Sequence, residues 1–427
     1  MLEHDEPGVT MPIRSAVRRR IAAVTGAVMI TAVMTACSGH AHVDIDLPTQ
    51  VDAAFADDTQ SQLEAAVQFA MAATGSTGAI VGVWAPWSGE WVGAVGDASV
   101  DDTFRAATVT RAMICDVLYE TVDAGTVSLG DPVVDYVGSV AGLSADVTLG
   151  DLCDGTSGLG SYRASLLGAF LNTPARVWNP NELVAYGIGA MDASLTGTTW
   201  RDSDAGYVLL GLALQKATGK SPADLLEDDV FEPLGLDDTS LPGDAAAAAG
   251  DPVLTGTVAQ TGADGALQCD APTDLTVLSA SMGSTDSGVV STIEDLATYT
   301  RALATGALVS DDSGRFDEPL SVGSDQPSWF TSAGGAYQAG SLIGQYGSIP
   351  GYMTASFTDP DTGLTVAVVL NDSAASDRIA AYLAWELAAI ASKAPAASGQ
   401  TAPDAGLPWT AQQQHDSIAA LAICPTS

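Results

Sequence analysis

The chain has 427 residues, of which 15 are Lys or Arg and 52 are Asp or Glu, giving a formal net charge of −37. Such a field repels nucleic acid and phosphate-rich polymers, which excludes both as expected partners, and suits a solvated surface in a high-salt or cell-wall environment. Hydrophobic residues make up 47% but aromatics only 6%, so the core of one large domain, or of two packed lobes, must be built mainly from Ala, Val, Leu and Ile.

The N-terminus reads as an export signal. From Met11 a basic segment with Arg14, Arg18, Arg19 and Arg20 precedes the apolar run Ile21 to Ala36. That run is shorter than the ~18–20 residues of a permanent membrane helix. Residues 1–10 are acidic and fit no signal, which makes Met11 a candidate start. Met34-Thr35-Ala36-Cys37 resembles a bacterial lipobox, in which the Cys37 thiol is acylated and becomes the new N-terminus. The alternative is ordinary secretion with cleavage near Ala36. The expected division is an export signal over 1–36, a tether over 37–58, the main domain over 59–393, and a linker with tail over 394–427. The protein is then expected outside the cell, attached to the membrane through Cys37.

Cysteine usage agrees with an oxidising compartment. Beyond Cys37 stand Cys115, Cys153, Cys269 and Cys424, for which three pairings exist. Local context favours Cys115 with Cys153 and Cys269 with Cys424; two unbonded pairs are the alternative.

Within the domain, Gln60 to Ala73 has helical periodicity. Gly78 to Ala85 reads as a buried strand, turned through Pro86-Trp87-Ser88-Gly89 into a second strand, Glu90 to Val95. A helix follows over Val109 to Val122, with Gly125 as its terminating glycine. Caps announce three more helices: Asn179-Pro180-Asn181-Glu182, Ser221-Pro222-Ala223-Asp224 and Ser291-Thr292-Ile293-Glu294. Strands Ser341 to Gly344, Met353 to Thr358 and Thr365 to Leu370 precede an Ala-rich helix from Ser376 to Ser392. Strands at both ends with helices between predict an α+β fold: an antiparallel sheet, flanked by N- and C-terminal helices, with an inserted helical lobe.

Four ordered blocks carry a family resemblance: FRAATVTRAMICDVLYETVDAGTVSLGDPVVDYV from Phe104, LCDGTSGL ending at Leu159, GYVLLGLALQKATGKSPADLLEDDVFEPLGLDDTSL from Gly206, and SGVVSTIEDLATYTRAL from Ser287. With YGSIPGY ending at Tyr352, they resemble the serine β-lactamase and penicillin-binding-protein superfamily, in particular class C-type β-lactamases and D-alanyl-D-alanine carboxypeptidases. The resemblance implies a two-lobed fold with a cleft and three short motifs facing it. Where the family has S-x-x-K, whose Ser attacks and whose Lys helps remove its proton, this chain has Thr108-Val109-Thr110-Arg111. Arginine stays charged and donor-only, so Arg111 cannot be the base. Y-x-N falls on Asp202-Ser203-Asp204, and H/K-x-G falls on Gln345-Tyr346-Gly347. Every side-chain catalytic position is changed. The resemblance leaves the backbone N–H groups of Thr108 and Ser348 as an oxyanion hole, and Tyr346 and Gly347 as cleft lining.

No other standard hydrolase machinery is encoded. The positions three before Lys216, Lys220 and Lys393 hold Ala213, Ala217 and Ile390, and no G-x-S-x-G occurs. His4, His40, His42 and His415 all lie outside 59–393, so neither a Ser–His–Asp triad nor a His-based metal site is expected, and no cofactor is implied. The leading expectation is a non-catalytic envelope lipoprotein whose cleft binds a peptidoglycan peptide or an envelope protein. A slow hydrolase, with Thr108 attacking and Asp202 or Asp204 as base, is the second reading; an interaction module with a closed cleft is the third. Arg111 is expected to fork onto Asp202, Asp204 or both, while Trp200 and Tyr346 serve equally as packing or as ligand platforms.

Overall fold

The computed structural model describes residues 42–262, 265–310 and 313–425; the export segment and Cys37 lie outside the described residues. Helix α1 (Asp57–Thr74) ends at Gly75, whose left-handed φ of 80° lets its N–H return to the Met71 carbonyl. Strands β1 (Gly78–Ala85) and β2 (Gly89–Gly96) form the expected hairpin. After it come α2 (Val109–Asp123), α3 (Arg163–Asn172), α4 (Pro180–Gly189), α5 (Asp204–Thr218) and α6 (Ile293–Thr305). The chain then returns to the sheet through β3 (Leu320–Ser321), β4 (Phe330–Ala333), β5 (Ala336–Ala339), β6 (Leu342–Ile349), β7 (Tyr352–Thr358) and β8 (Thr365–Leu370). It closes with α7 (Arg378–Ala391) and α8 (Ala411–Ala420).

The eight strands make one antiparallel sheet in the order β2-β1-β8-β7-β6-β5-β4-β3. The first and last strands in sequence with long pairings, β1 and β8, therefore lie side by side, with Ile80 paired to Val369. Strand alternation divides the core. Val81, Val83, Val366 and Val368 join Leu63, Phe357, Leu383 and Trp385 beneath α1 and α7, while Ile80, Trp84, Ala367 and Val369 join α2, α5 and α6 on the other face. Each such buried large side chain contributes about 1.5–3 kcal/mol.

The sequence-derived caps hold at Asn179, which accepts from the Asn181 N–H, and at Ser221, which forms a capping box with Asp224. The third shifts by one residue. Thr292, not Ser291, caps α6 by accepting from Asp295 N–H, because Val290–Ser291 is drawn into a two-residue strand against Phe104–Arg105. Strands β3, β4 and β5 have no counterpart in the sequence reading; at two to four residues each they are too short to establish a period.

The tail packs on the domain. Trp409 donates its indole N–H to the Trp385 carbonyl at 2.9 Å, and His415 stacks on Phe69 with ring centroids 3.9 Å apart. The tether also lies on the domain, with Val43 N–H donating to the Pro233 carbonyl and Phe55 buried. Both favoured disulfides are present, Cys115–Cys153 and Cys269–Cys424.

Helix α2 is fixed from behind by a buried polar cluster. Arg315 forms an ion pair with Asp116 and donates to the Ala112 and Gly334 carbonyls, while Tyr299 donates to the other Asp116 oxygen at 2.6 Å. Burial pushes the Asp116 carboxyl upward although Arg315 and Tyr299 oppose the shift. These contacts tie α2 to α6 and to the β4–β5 turn, and so set the position of the helix that opens the cleft.

Candidate active-site cleft

Thr108 stands at the N-terminus of α2, buried, and follows Ala107, whose φ of 50° is in the left-handed region that a non-glycine residue seldom occupies. Its hydroxyl donates to the Tyr346 carbonyl on β6 at 2.6 Å. Gly347 permits this approach, since a Cβ there would collide with the Thr108 hydroxyl. The two residues whose backbone N–H groups the sequence assigns to an oxyanion hole, Thr108 and Ser348, thus belong to segments that meet.

Arg111 lies one turn further along α2 with a side chain only 7% exposed. It donates from Nη1 to Asp202 at 2.6 Å and from Nε to Asp286 at 2.7 Å, with its guanidinium 4.9 Å from the centre of the Tyr207 ring. Burial opposes its charge, but the two carboxylates outweigh that and raise its pKa well above the usual value. Asp202 is the expected partner. Partial desolvation pushes its carboxyl up, and the charge and hydrogen bond of Arg111 more than reverse this, leaving it below the ordinary range.

Asp204 is not the second prong. It accepts from the Ser161 hydroxyl and from the backbone N–H groups of Tyr162 and Arg163, the latter two at 2.7 and 2.9 Å. It thereby caps α3 from outside, where the helix dipole favours an anion. Burial and the Asp286 charge still push its carboxyl up to about 6. The second prong is Asp286, fully buried in the short helix Ser284–Ser287. Sequence reading missed it. The contact joins residues 175 positions apart, and nothing local to Ser284-Thr285-Asp286 marks it.

Gln345 also departs from its expected place facing the cleft. Its amide donates to the Gly335 carbonyl at 2.8 Å and accepts from the Tyr346 N–H, so it is spent on the β4–β5 turn and on its own strand. Strand alternation then sends Tyr346 to the opposite side, where it stacks on Tyr337 at 4.9 Å, with Trp200 6.1 Å from Tyr337. Burial raises the pKa of both tyrosines, keeping them protonated. Thr108, Arg111, Asp202, Asp204, Tyr346 and Arg378 are among the residues lining an open cavity of about 290 Å³. Among the described residues no group of three or more His, Cys, Asp or Glu side chains is placed to hold a metal ion.

A family model described as Beta-lactamase matches residues 63–389. The chain belongs to the beta-lactamase family. Within this family it is 30% identical over 146 residues to the D-alanyl-D-alanine-carboxypeptidase/endopeptidase AmpH of Escherichia coli K12, covering 33% of this chain and 37% of that protein. It is 27% identical over 152 residues to penicillin-binding protein 4 of Amycolatopsis lactamdurans, covering 32% and 36%. The chain thus spans little more than a third of the curated relatives it matches. Its fold is that of the D-stereospecific amidohydrolase from a Streptomyces species, with a TM-score of 0.65, 24% identity, and 74% and 93% of the two chains covered. The D-amino acid amidase of Ochrobactrum anthropi SV3 follows with a TM-score of 0.63, 21% identity, and 75% and 93% covered. In this beta-lactamase-family cleft, the Thr108 hydroxyl faces a backbone carbonyl, and Arg111 beside it is held by two carboxylates.

Proposed function

We propose that the chain is a catalytically inactive member of the beta-lactamase family that keeps its cleft to bind a cell-wall peptide or an envelope protein, and is held at the outer membrane face by lipid on Cys37. One observation carries the inactivity: the Arg111 guanidinium is clamped between Asp202 and Asp286 while the Thr108 proton is directed at the Tyr346 carbonyl. A general base must reach the proton it removes and be free to accept it. Arg111 has no lone pair to offer, and Asp202 is neutralised by it. The names of the carboxypeptidase and penicillin-binding relatives support a wall peptide as ligand, and the 290 Å³ cavity favours an open cleft over a closed interaction module.

The slow-hydrolase reading draws on Asp204, whose pKa of about 6 suits a base. Against it, both oxygens of Asp204 already accept hydrogen bonds from the start of α3. Intact-mass measurement after exposure to penicillins and activated esters is expected to find no adduct. A stable mass increase absent from Thr108→Ala would replace the inactive reading with the slow hydrolase.

The membrane attachment has its own test. The intact protein is expected to partition into detergent and Cys37→Ser to move to the aqueous phase; equal partitioning of the two would remove the anchor.

A further inference from the structure

The C-terminal tail completes a small cavity of about 130 Å³, which shares Tyr346 and Arg378 with the 290 Å³ cleft but none of its carboxylates. Helix α7 lines it with Arg378, Tyr382 and Trp385, spaced four and three residues apart on one helix face. Helix α8 adds Gln414 and Ser417, and Trp329 with Phe330, where β4 begins, makes a third wall. The family match ends at residue 389, so the α8 wall lies outside what the family model covers.

Two buried polar atoms on these walls are unanswered. The Trp385 indole nitrogen and the Gln414 side-chain oxygen have no hydrogen-bond partner among the described residues, although the two residues are only 3% and 5% exposed. In the same aromatic cluster the Trp409 indole is satisfied, by the Trp385 carbonyl. A donor and an acceptor buried without partners are costly to the fold, and here both belong to residues of one cavity. Both atoms are covered, and reaching them requires Trp329 and Tyr382 to shift. Those two rings are partly exposed and stand 5.5 and 5.7 Å from the Trp385 ring; rotamer changes of this kind are common on binding.

We propose that this cavity binds one ring of a neutral saccharide, whose hydroxyls accept from the Trp385 N–H and donate to the Gln414 oxygen; this goes beyond the reading of the cleft and does not depend on it. Size, chemistry and charge each select that class. A cavity of roughly 150 Å³ holds a benzene ring, so this one suits a single six-membered ring. A hydroxyl both donates and accepts, so one sugar ring answers both orphaned atoms, which an apolar ring does not. The electron-rich faces of aromatic side chains also attract the polarised C–H bonds of a sugar. Among the lining residues Arg378 carries the charge, and it repels an ammonium group. Its Nη1 is already given to Gln326 at 3.1 Å, and the chain's net charge of −37 opposes an anion.

Saturation-transfer NMR on the full chain, with methyl glucoside, N-acetylglucosamine, cyclohexanol, phenol and tetramethylammonium titrated separately, tests this. At least one of the two saccharides is expected to bind in the millimolar range, and more tightly than the other three probes. Gln414→Leu and Trp385→Phe should each weaken that binding about tenfold, the loss of one buried hydrogen bond. Gln414→Leu should do so without lowering the thermal midpoint, since it removes a covered and unpaired oxygen, and so it decides the matter even if Trp385→Phe disturbs the aromatic cluster. Thr108→Ala should bind the saccharide as the parent does. The proposal is overturned by the absence of saccharide binding, by undiminished binding to Gln414→Leu, or by tighter binding of cyclohexanol, phenol or tetramethylammonium. Saccharide binding that disappears in Thr108→Ala overturns it as well, because the sugar would then lie in the cleft. Loss of peptide binding with saccharide binding intact would remove the reading of the cleft and leave this site standing.

Discussion

Arg111→Ala is expected to lower the unfolding free energy by about 3–5 kcal/mol, the usual cost of removing one partner from a buried ion pair. The reason is Asp286 rather than Asp202. The Asp286 side chain has no exposure at all, whereas that of Asp202 is 55% exposed and can recover water. Without Arg111, the cation left beside Asp286 among the described residues is Arg163, 3.9 Å away. Asp202→Ala should therefore cost no more than about 1 kcal/mol, as for a solvent-exposed pair. Asp286→Asn introduced into Arg111→Ala should recover part of the loss, since it removes the stranded charge; the parent, Arg111→Ala, Asp286→Asn and their double variant form a double-mutant cycle. Denaturant unfolding at neutral pH reads each step. A loss under 1 kcal/mol in Arg111→Ala would mean that the clamp does not contribute to the fold, and would return Arg111 to the ligand-binding surface.

What the sequence revealed of this clamp, and what it hid, follows from the range of each interaction. Features set within a few residues were legible. The apolar run Gly78 to Ala85 is a strand with those same ends, Asn179 and Ser221 cap their helices, and both disulfides join the favoured cysteines. The strands at both ends of the domain predicted the α+β class, and the family resemblance placed Thr108, Arg111 and Asp202 at one cleft, where they line one cavity. Long-range choices were not legible. Arg111 could have forked onto Asp204, but the start of α3 supplies that carboxylate with three donors of its own, and Asp286 takes the vacant prong. Gln345 sits where the motif predicts in sequence, yet its amide is consumed by the neighbouring turn at Gly335. The Arg315–Asp116 pair behind α2 spans 199 positions and leaves no local trace. The tail helix was hidden for a different reason. Its stretch Ala411 to Ala420 is mostly polar outward, with Gln414 and Ile418 as its buried residues, so it carries too narrow an apolar stripe to stand out before its partner α7 is known.

That tail bears the second large effect. Replacing Cys269 and Cys424 together by serine is expected to cost about 2–5 kcal/mol, the usual cost of removing a native disulfide. The bond joins residues 155 positions apart. In the chain-entropy account, closing so long a loop in the unfolded ensemble is worth roughly 5 kcal/mol, against roughly 4 for the 38-residue separation of Cys115 and Cys153. The stabilisation is realised as global stability only if the tail unfolds with the rest. Four contacts argue that it does: Trp409 is buried against Trp385, His415 hydrogen-bonds to Glu386 at 3.1 Å, and Ile423 and Cys424 each donate to the Ala73 carbonyl at the end of α1. Gly75 closes α1 directly beside Cys424, where a Cβ would come within 2.8 Å of the sulfur, so the disulfide also seats the turn that leads into β1. Thermal unfolding of the double serine variant, compared with the oxidised parent, measures the effect. A cooperative midpoint lowered by several degrees places the tail inside the folding unit. An unchanged midpoint with only the tail lost to a protease would separate the tail from the domain.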